Sequence, residues 1–167
     1  GTWYGVITGM DENGNMVSDE TCLACHNGKT APNQFVSWGA TGHAQILAQN
    51  IDDPAGHWSI SCASCHTVGY DTAADNGGFD EAMAKEGWEV PHGAVGNFAA
   101  MLQNDPQTAR LANIQCENCH GPQVSDAHTE GAPRVSLSSD LCGSCHGEPP
   151  RHGRFQQWEE SGHANME

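Results

Sequence analysis

The chain has 167 residues, of which 37% are hydrophobic, and it carries 20 glycines, 8 prolines and a formal charge of −15. So few apolar residues argue against a large aliphatic core, and bound cofactors would have to supply the missing apolar mass. The acidic balance argues against nucleic acids and anionic lipids as partners, and no apolar run reaches the roughly 18 residues that a spanning helix needs.

The first predicted element is a short β-hairpin within residues 3–17 that turns at Asn13 and Gly14, a favoured turn pair. Residues 3–7 are apolar, and we expect them to form an exposed strand suited to docking on a neighbour. The turn faintly resembles a calcium loop. Met16 stands where that loop needs glycine, so calcium is not favoured here.

Four Cys-x-x-Cys-His motifs follow along the chain and use all eight cysteines. Two thiols three residues apart can form thioethers with the two vinyl groups of one porphyrin, and the next histidine then ligates the iron. The pattern predicts four covalently bound haem c groups, and we number the motifs in chain order. The attachment residues are Cys22, Cys25, Cys62, Cys65, Cys116, Cys119, Cys142 and Cys145, and the proximal ligands are His26, His66, His120 and His146.

Structural zinc is the competing interpretation, since paired Cys-x-x-Cys knuckles also build tetrahedral sulfur sites. Disulfides are a further use of paired cysteines. Zinc does not require a histidine directly after each second cysteine, whereas haem attachment does. The fourfold repetition of that histidine therefore favours haem.

We predict short helices at the four motifs, further helices at about 32–50, 79–87, 96–104 and 154–164, and coil elsewhere. The predicted fold class is mostly coil with short α-helices and an N-terminal β-hairpin, a multihaem cytochrome c fold with a haem core. We expect one tetrahaem domain over residues 1–167. Without haem we expect a largely unfolded chain, because it could not bury enough surface to offset its conformational entropy.

Residues 38–44 and 158–164 repeat one pattern, Trp-x-x-[Thr/Ser]-Gly-His-Ala. In each copy the histidine lies seventeen residues after the histidine of a haem motif. The repeated unit is therefore a haem motif, a linker and a helix that carries a second histidine. This context predicts that His43 and His163 are distal iron ligands.

Six histidines lie outside the motifs, whereas four six-coordinate irons need four distal ligands. This supply favours bis-His coordination over ligation by any of the five methionines, and it implies low reduction potentials. His128 is too near His120 in sequence to reach the far face of its own haem, so we expect it to serve a neighbouring haem. Two of the six are surplus, and the sequence leaves open which two. The candidates are His43, His57, His92, His128, His152 and His163.

The sequence around these motifs resembles a known family. Residues 116–122 with a histidine nearby, residues 62–70, and the two Trp…Gly-His-Ala segments are similar to those of tetrahaem c-type cytochromes. That family is typified by the nitrifier electron carrier that accepts electrons from hydroxylamine oxidoreductase. The resemblance covers residues 22–164.

The resemblance implies a crossed pattern of ligation. His43 would be the distal ligand of the haem whose proximal ligand is His146, and His128 that of the haem held by His26. It also implies that the second haem is five-coordinate in the family. This chain has enough histidines to give every iron a distal ligand, so its second haem need not be five-coordinate.

The same family resembles the subunits of extracellular cytochrome filaments (nanowires), in which a histidine of one subunit ligates an iron in the next. His163 and the apolar residues 3–7 favour such a homopolymer, although both would also suit a monomer whose ends fold back. We therefore expect an electron-transfer protein, with redox proteins or extracellular acceptors as further partners. Because covalent haem attachment takes place outside the cytoplasmic membrane, we expect an extracellular or periplasmic protein whose export signal has been removed.

Two alternatives remain. The chain could be a soluble periplasmic tetrahaem carrier with all its ligands in one molecule. It could also be a haem enzyme acting on small nitrogen species, which needs an open iron with acid–base groups such as His57 or His92 nearby. The surplus of histidines argues against that open position.

Overall fold

The computed structural model describes residues 1–122, 139–147 and 153–164. The chain divides into two compact units, Gly1–Glu130 and Gly131–Glu167. The described residues are mostly helix and coil with a small two-stranded hairpin, which confirms the coarse prediction of short helices, coil and an N-terminal β-hairpin. Among them, no helix is both long and apolar enough to cross a membrane. The haem core and the single tetrahaem domain stay predictions.

The N-terminal hairpin consists of β1 (Ile7–Met10) and β2 (Met16–Ser18), which pair antiparallel. The carboxylate of Asp11 closes the turn by accepting the backbone N–H groups of Asn13 and Asn15, each at 2.8 Å. The hydrogen bonds from Asn15 hold the pKa of Asp11 below its usual value. The turn is therefore closed by its own hydrogen bonds.

The prediction that residues 3–7 form an exposed strand is wrong. Val6 and Ile7 are only 3% and 1% exposed. Three successive backbone amides of this segment donate to the side chains of Gln115 and Glu117. The segment folds back because these two polar side chains satisfy its amides while Val6 and Ile7 enter the core.

The described residues form ten short α-helices and one 3₁₀ turn, and a helix lies at each motif as predicted. The helices near 79–87 and 96–104 were predicted correctly, the one predicted at 154–164 is shorter, and the helix that begins at Pro106 was missed. The elements are α1 (Glu20–Leu23), α2 (Phe35–Gly39), α3 (Ile46–Asp52), the 3₁₀ turn (Ile60–Cys62), α4 (Ala63–His66), α5 (Phe79–Glu86), α6 (Asn97–Asn104), α7 (Pro106–Arg110), α8 (Cys116–His120), α9 (Asp140–His146) and α10 (Arg154–Glu159).

The single helix predicted at 32–50 is interrupted between α2 and α3. The hydroxyl of Thr41 donates to the carbonyl of Trp38 at 2.7 Å and so ends the helix. In the second copy of the repeat, the hydroxyl of Ser161 donates to the carbonyl of Trp158 at 2.6 Å. A side chain that bonds the backbone in this way competes with helix continuation, which explains why both helices stop early.

The first unit has an aliphatic and aromatic core of its own. Phe79 and Phe98 are fully buried, and Trp88 makes edge-on ring contacts with Trp58 and Phe79 at centroid distances of 6.2 and 5.7 Å. Cys62 packs against this cluster. The core therefore fixes the position of the second motif at its surface.

Candidate haem-attachment sites

Each motif occupies about one helical turn. In the first motif, the backbone N–H groups of Cys25 and His26 donate to the carbonyl of Cys22 at 3.2 and 2.9 Å. The 3₁₀ turn and α4 carry the second motif, while α8 and α9 carry the third and fourth. Residues three and four apart lie on the same side of a helix, so both cysteines and the histidine of a motif can face one porphyrin.

All eight cysteines lie among the described residues, and none forms a disulfide. None is buried, because each is either exposed or half-buried. Across the described ranges, no three His, Cys, Asp or Glu side chains converge as a metal-ion site. The cysteines are thus arranged as four accessible pairs, each with its own histidine.

The ring of His26 has a defined tautomer. Its Nδ1 lies 3.2 Å from the carbonyl oxygen of Pro32. A carbonyl can only accept a hydrogen bond, so Nδ1 carries a proton, and the tautomer of the neutral ring that fits this contact has its lone pair on Nε2. This is how a protein orients an imidazole that ligates a metal through Nε2.

Partial burial raises the pKa of Cys22 to about 11, the carboxylates of Asp19 and Glu117 add to the effect, and Arg110 opposes it. Burial also raises the pKa of Cys116. Thiols with a raised pKa stay protonated and are less reactive as thiolates towards oxidation. Both cysteines are therefore kept in the thiol form that can add to a vinyl group.

The first copy of the repeat is anchored beside the third motif. The indole Nε1 of Trp38 donates to the carbonyl of Ile114 at 2.9 Å, and the N–H of Ile114 donates to the carbonyl of His43 at 3.0 Å. Ile114 lies two residues before Cys116. The structure thus brings the backbone of His43 next to the segment that enters the third motif.

The other candidate distal ligands are placed as follows. His57, His92 and His163 are exposed, as is His43. His128 and His152 lie outside the described residues. The crossed ligation that the resemblance implies therefore stays a prediction.

The fourth motif borders an open cavity of about 280 Å³ within the second unit. The ring of Phe155 contacts the motif so closely that a Cβ on Gly143 would lie 3.0 Å from it. Aromatic walls suit the face of a porphyrin, and the cation of Arg154 suits its anionic propionates. The residues therefore fit a haem. The cavity is lined by Ser139, Cys142, His146, Arg154, Phe155 and Trp158.

The sequence did not single out Phe155 and Arg154. A signal for Phe155 was present, because a phenylalanine stands three residues before the tryptophan in both copies of the repeat. In the structure Phe35 contacts Trp38, and Phe155 contacts Trp158, at ring-centroid distances of 6.5 and 5.6 Å. The repeat therefore begins at Phe35 and Phe155, three residues before the matching segments 38–44 and 158–164.

Trp58 supplies a further test of fit at the second motif. Its indole N–H is buried and has no hydrogen-bond acceptor among the described residues. Leaving such a donor unsatisfied costs about 1–3 kcal/mol. Trp58 lies two residues before the 3₁₀ turn that carries Cys62, so a propionate of a haem attached there is an acceptor of the right kind.

Comparisons of the chain with protein-family models, with characterised proteins and with solved structures find no match.

Proposed function

We propose that this chain is a multihaem c-type cytochrome that transfers electrons through four closely packed bis-His haems. The observation that carries the proposal is that four unbridged, accessible cysteine pairs each share a helical turn with a histidine. Haem c bound at these sites would supply an iron that accepts and releases one electron. We assign the chain no substrate chemistry.

The residues of the chain would hold, orient and shield the four centres. The motif cysteines would anchor each porphyrin, and the hydrogen bond from His26 to Pro32 would keep Nε2 directed at the iron. Four of the six remaining histidines would fill the distal positions. A second imidazole on each iron lowers its reduction potential relative to methionine and excludes dioxygen.

We further propose that the chain is exported and polymerises into an extracellular conductive filament. His163 supports this assembly because it is exposed and occupies the same kind of turn as His43. The hydroxyl of Ser161 accepts the N–H of His163 at 3.3 Å, and this contact helps to hold the turn. An imidazole presented in this way can ligate an iron in another copy of the chain.

A soluble periplasmic carrier is the second candidate, and a specific observation favours it. Residues 3–7 were one of the two features that favoured docking between copies, yet they are bound to Gln115 and Glu117 within their own unit. In a carrier, one chain would provide all eight iron ligands. Its redox partner would then present a basic surface, complementary to the formal charge of −15.

Replacing His163 with alanine distinguishes the two candidates. If His163 ligates an iron in the next subunit, the variant should convert one haem from low spin to high spin and yield only short particles. Electron paramagnetic resonance would measure the spin state, and negative-stain electron microscopy would measure fibre length. Gln157→Ala is the matched control, because Gln157 is an exposed residue of α10 that cannot replace the imidazole, and it should form fibres of native length.

Fibres of native length with four low-spin haems in His163→Ala would show that His163 does not ligate an iron in the next subunit. The same experiment on His57→Ala would then test a second exposed candidate. Small discrete particles from the native protein itself would identify a soluble carrier.

A further inference from the structure

The N-terminal segment lies between the entrances to two haem motifs. The N–H of Asp19 donates to the carbonyl of Val6 at 3.0 Å, and the N–H of Val6 donates to Oε1 of Gln115 at 2.7 Å. Asp19 lies three residues before Cys22, and Gln115 lies directly before Cys116. The backbone of Val6 is therefore hydrogen-bonded both to the segment that leads into the first motif and to the segment that leads into the third.

Glu117 is a buried carboxylate at this junction. It is only 4% exposed, and it lies inside the third motif between Cys116 and Cys119. Its Oε2 accepts the backbone N–H groups of Tyr4 and Gly5 at 3.0 and 2.8 Å. These two hydrogen bonds hold the carboxylate in place between the N-terminal segment and the third motif.

The charge of Glu117 acts on both motifs. Partial burial is the main cause of the raised pKa of both Cys22 and Cys116, and the charge of Glu117 adds to it at both thiols. At Cys22 the charge of Asp19 acts in the same direction, and Arg110 opposes it. Charges interact more strongly in a buried environment than in water, because the effective dielectric constant is lower. A charge at this position therefore influences any redox centre attached to either motif.

We propose that Glu117 sets the reduction potentials of the haems on the first and third motifs and holds both low. The inference rests on the proposed haem attachment. Reduction adds one electron, supplied by dithionite in the test below, to a ferric centre and makes it ferrous without making or breaking a bond. The centre loses one unit of positive charge, so a buried anion nearby disfavours its reduction.

Glu86 provides a matched control within the same unit. Its carboxylate also accepts two successive backbone N–H groups, those of Gln107 and Thr108 at 3.0 and 2.8 Å. These contacts join α5 to α7, and Glu86 is not among the charges that shift the pKa of Cys22 or Cys116. Like Glu117→Gln, the Glu86→Gln variant loses a carboxylate that binds backbone amides. Unlike it, Glu86→Gln leaves the charge beside the first and third motifs unchanged.

The experiment is a potentiometric titration of the purified holoproteins, followed by optical spectra and electron paramagnetic resonance. In Glu117→Gln, which keeps an oxygen for the amides of Tyr4 and Gly5, two of four potentials should move upward. All four should stay in place in Glu86→Gln. In a Cys22→Ser, Cys25→Ser background, which lacks the first haem, Glu117→Gln should move only one of the three remaining potentials.

Glu117→Asp keeps the charge but shortens the side chain, and its potentials should stay nearest to the native values. Unchanged potentials in Glu117→Gln, or an equal shift of all four, would overturn the role of the charge. So would a rise in Glu117→Asp as large as the rise in Glu117→Gln. Absence of haem from the native protein would instead overturn the proposed function. The two failures are thus distinguishable.

Discussion

A Cys62→Ser, Cys65→Ser variant is expected to carry three haems instead of four. Serine cannot form a thioether, so the second porphyrin loses both of its covalent bonds to the chain. The other three haems should remain, because each motif lies on a helical turn of its own. The pyridine haemochrome assay measures the haem concentration. Its ratio to the peptide concentration should be lower than the native ratio by one quarter.

Ser61 and Ser64 provide the matched control for this variant. They stand beside Cys62 and Cys65, and Ser61 shares a hydrogen bond of 2.7 Å with Ser59. A Ser61→Ala, Ser64→Ala variant changes the same turn without removing a thiol, and it should keep all four haems. Four haems in the cysteine variant as well would show that this motif is not an attachment site.

Phe79→Ala is expected to destabilise the first unit by about 3–5 kcal/mol, the usual range for removing a fully buried phenylalanine. Phe79 has no exposed surface, and its ring contacts Trp88 at 5.7 Å. Its backbone N–H also donates to the carbonyl of Val68 at 3.0 Å. The substitution would therefore leave a cavity where α5 packs against the segment that follows the second motif.

The loss would be measured as the change in the free energy of unfolding, from guanidinium titrations followed by far-ultraviolet circular dichroism. Val95→Ala is the control, because Val95 is 85% exposed and its truncation should change the free energy by less than about 0.5 kcal/mol. A change below about 1 kcal/mol in Phe79→Ala would mean that this core contributes little beside the haems.

The elements that the sequence predicted correctly are those with strong local signals. The turn pair at Asn13 and Gly14 indicated the hairpin, and the apolar residues 98–102 indicated α6. The interruption after Trp38 was missed, because the hydrogen bond from the hydroxyl of Thr41 competes with the helix and apolar spacing does not report it.

The course of residues 3–7 could not be predicted for a different reason. The partners that bury them, Gln115 and Glu117, lie more than a hundred residues away in sequence. Local patterns carry no information about such contacts. For the same reason Glu117 attracted no attention as one of the 21 acidic residues, and only the structure shows that it lies at the junction of two motifs.

The attachment sites are predicted from spacing alone, because the geometry of each motif is local to one helical turn, and the structure places each motif on such a turn. Which histidine would serve which iron depends on the elements that meet in space, so that assignment stays a prediction. The sequence grouped His43 with His163, and the structure gives the two turns the same hydroxyl-to-carbonyl hydrogen bond. It adds the contact between His43 and Ile114 beside the third motif, which no sequence pattern indicated.

The most direct test of the central claim is intact-mass spectrometry of the protein purified from its native source, before and after treatment with a thiol-alkylating reagent. Four covalent haems predict the mass of the polypeptide plus four haem groups, and none of the eight cysteines should react. The mass of the bare polypeptide, with thiols that take up the reagent, would contradict a tetrahaem cytochrome.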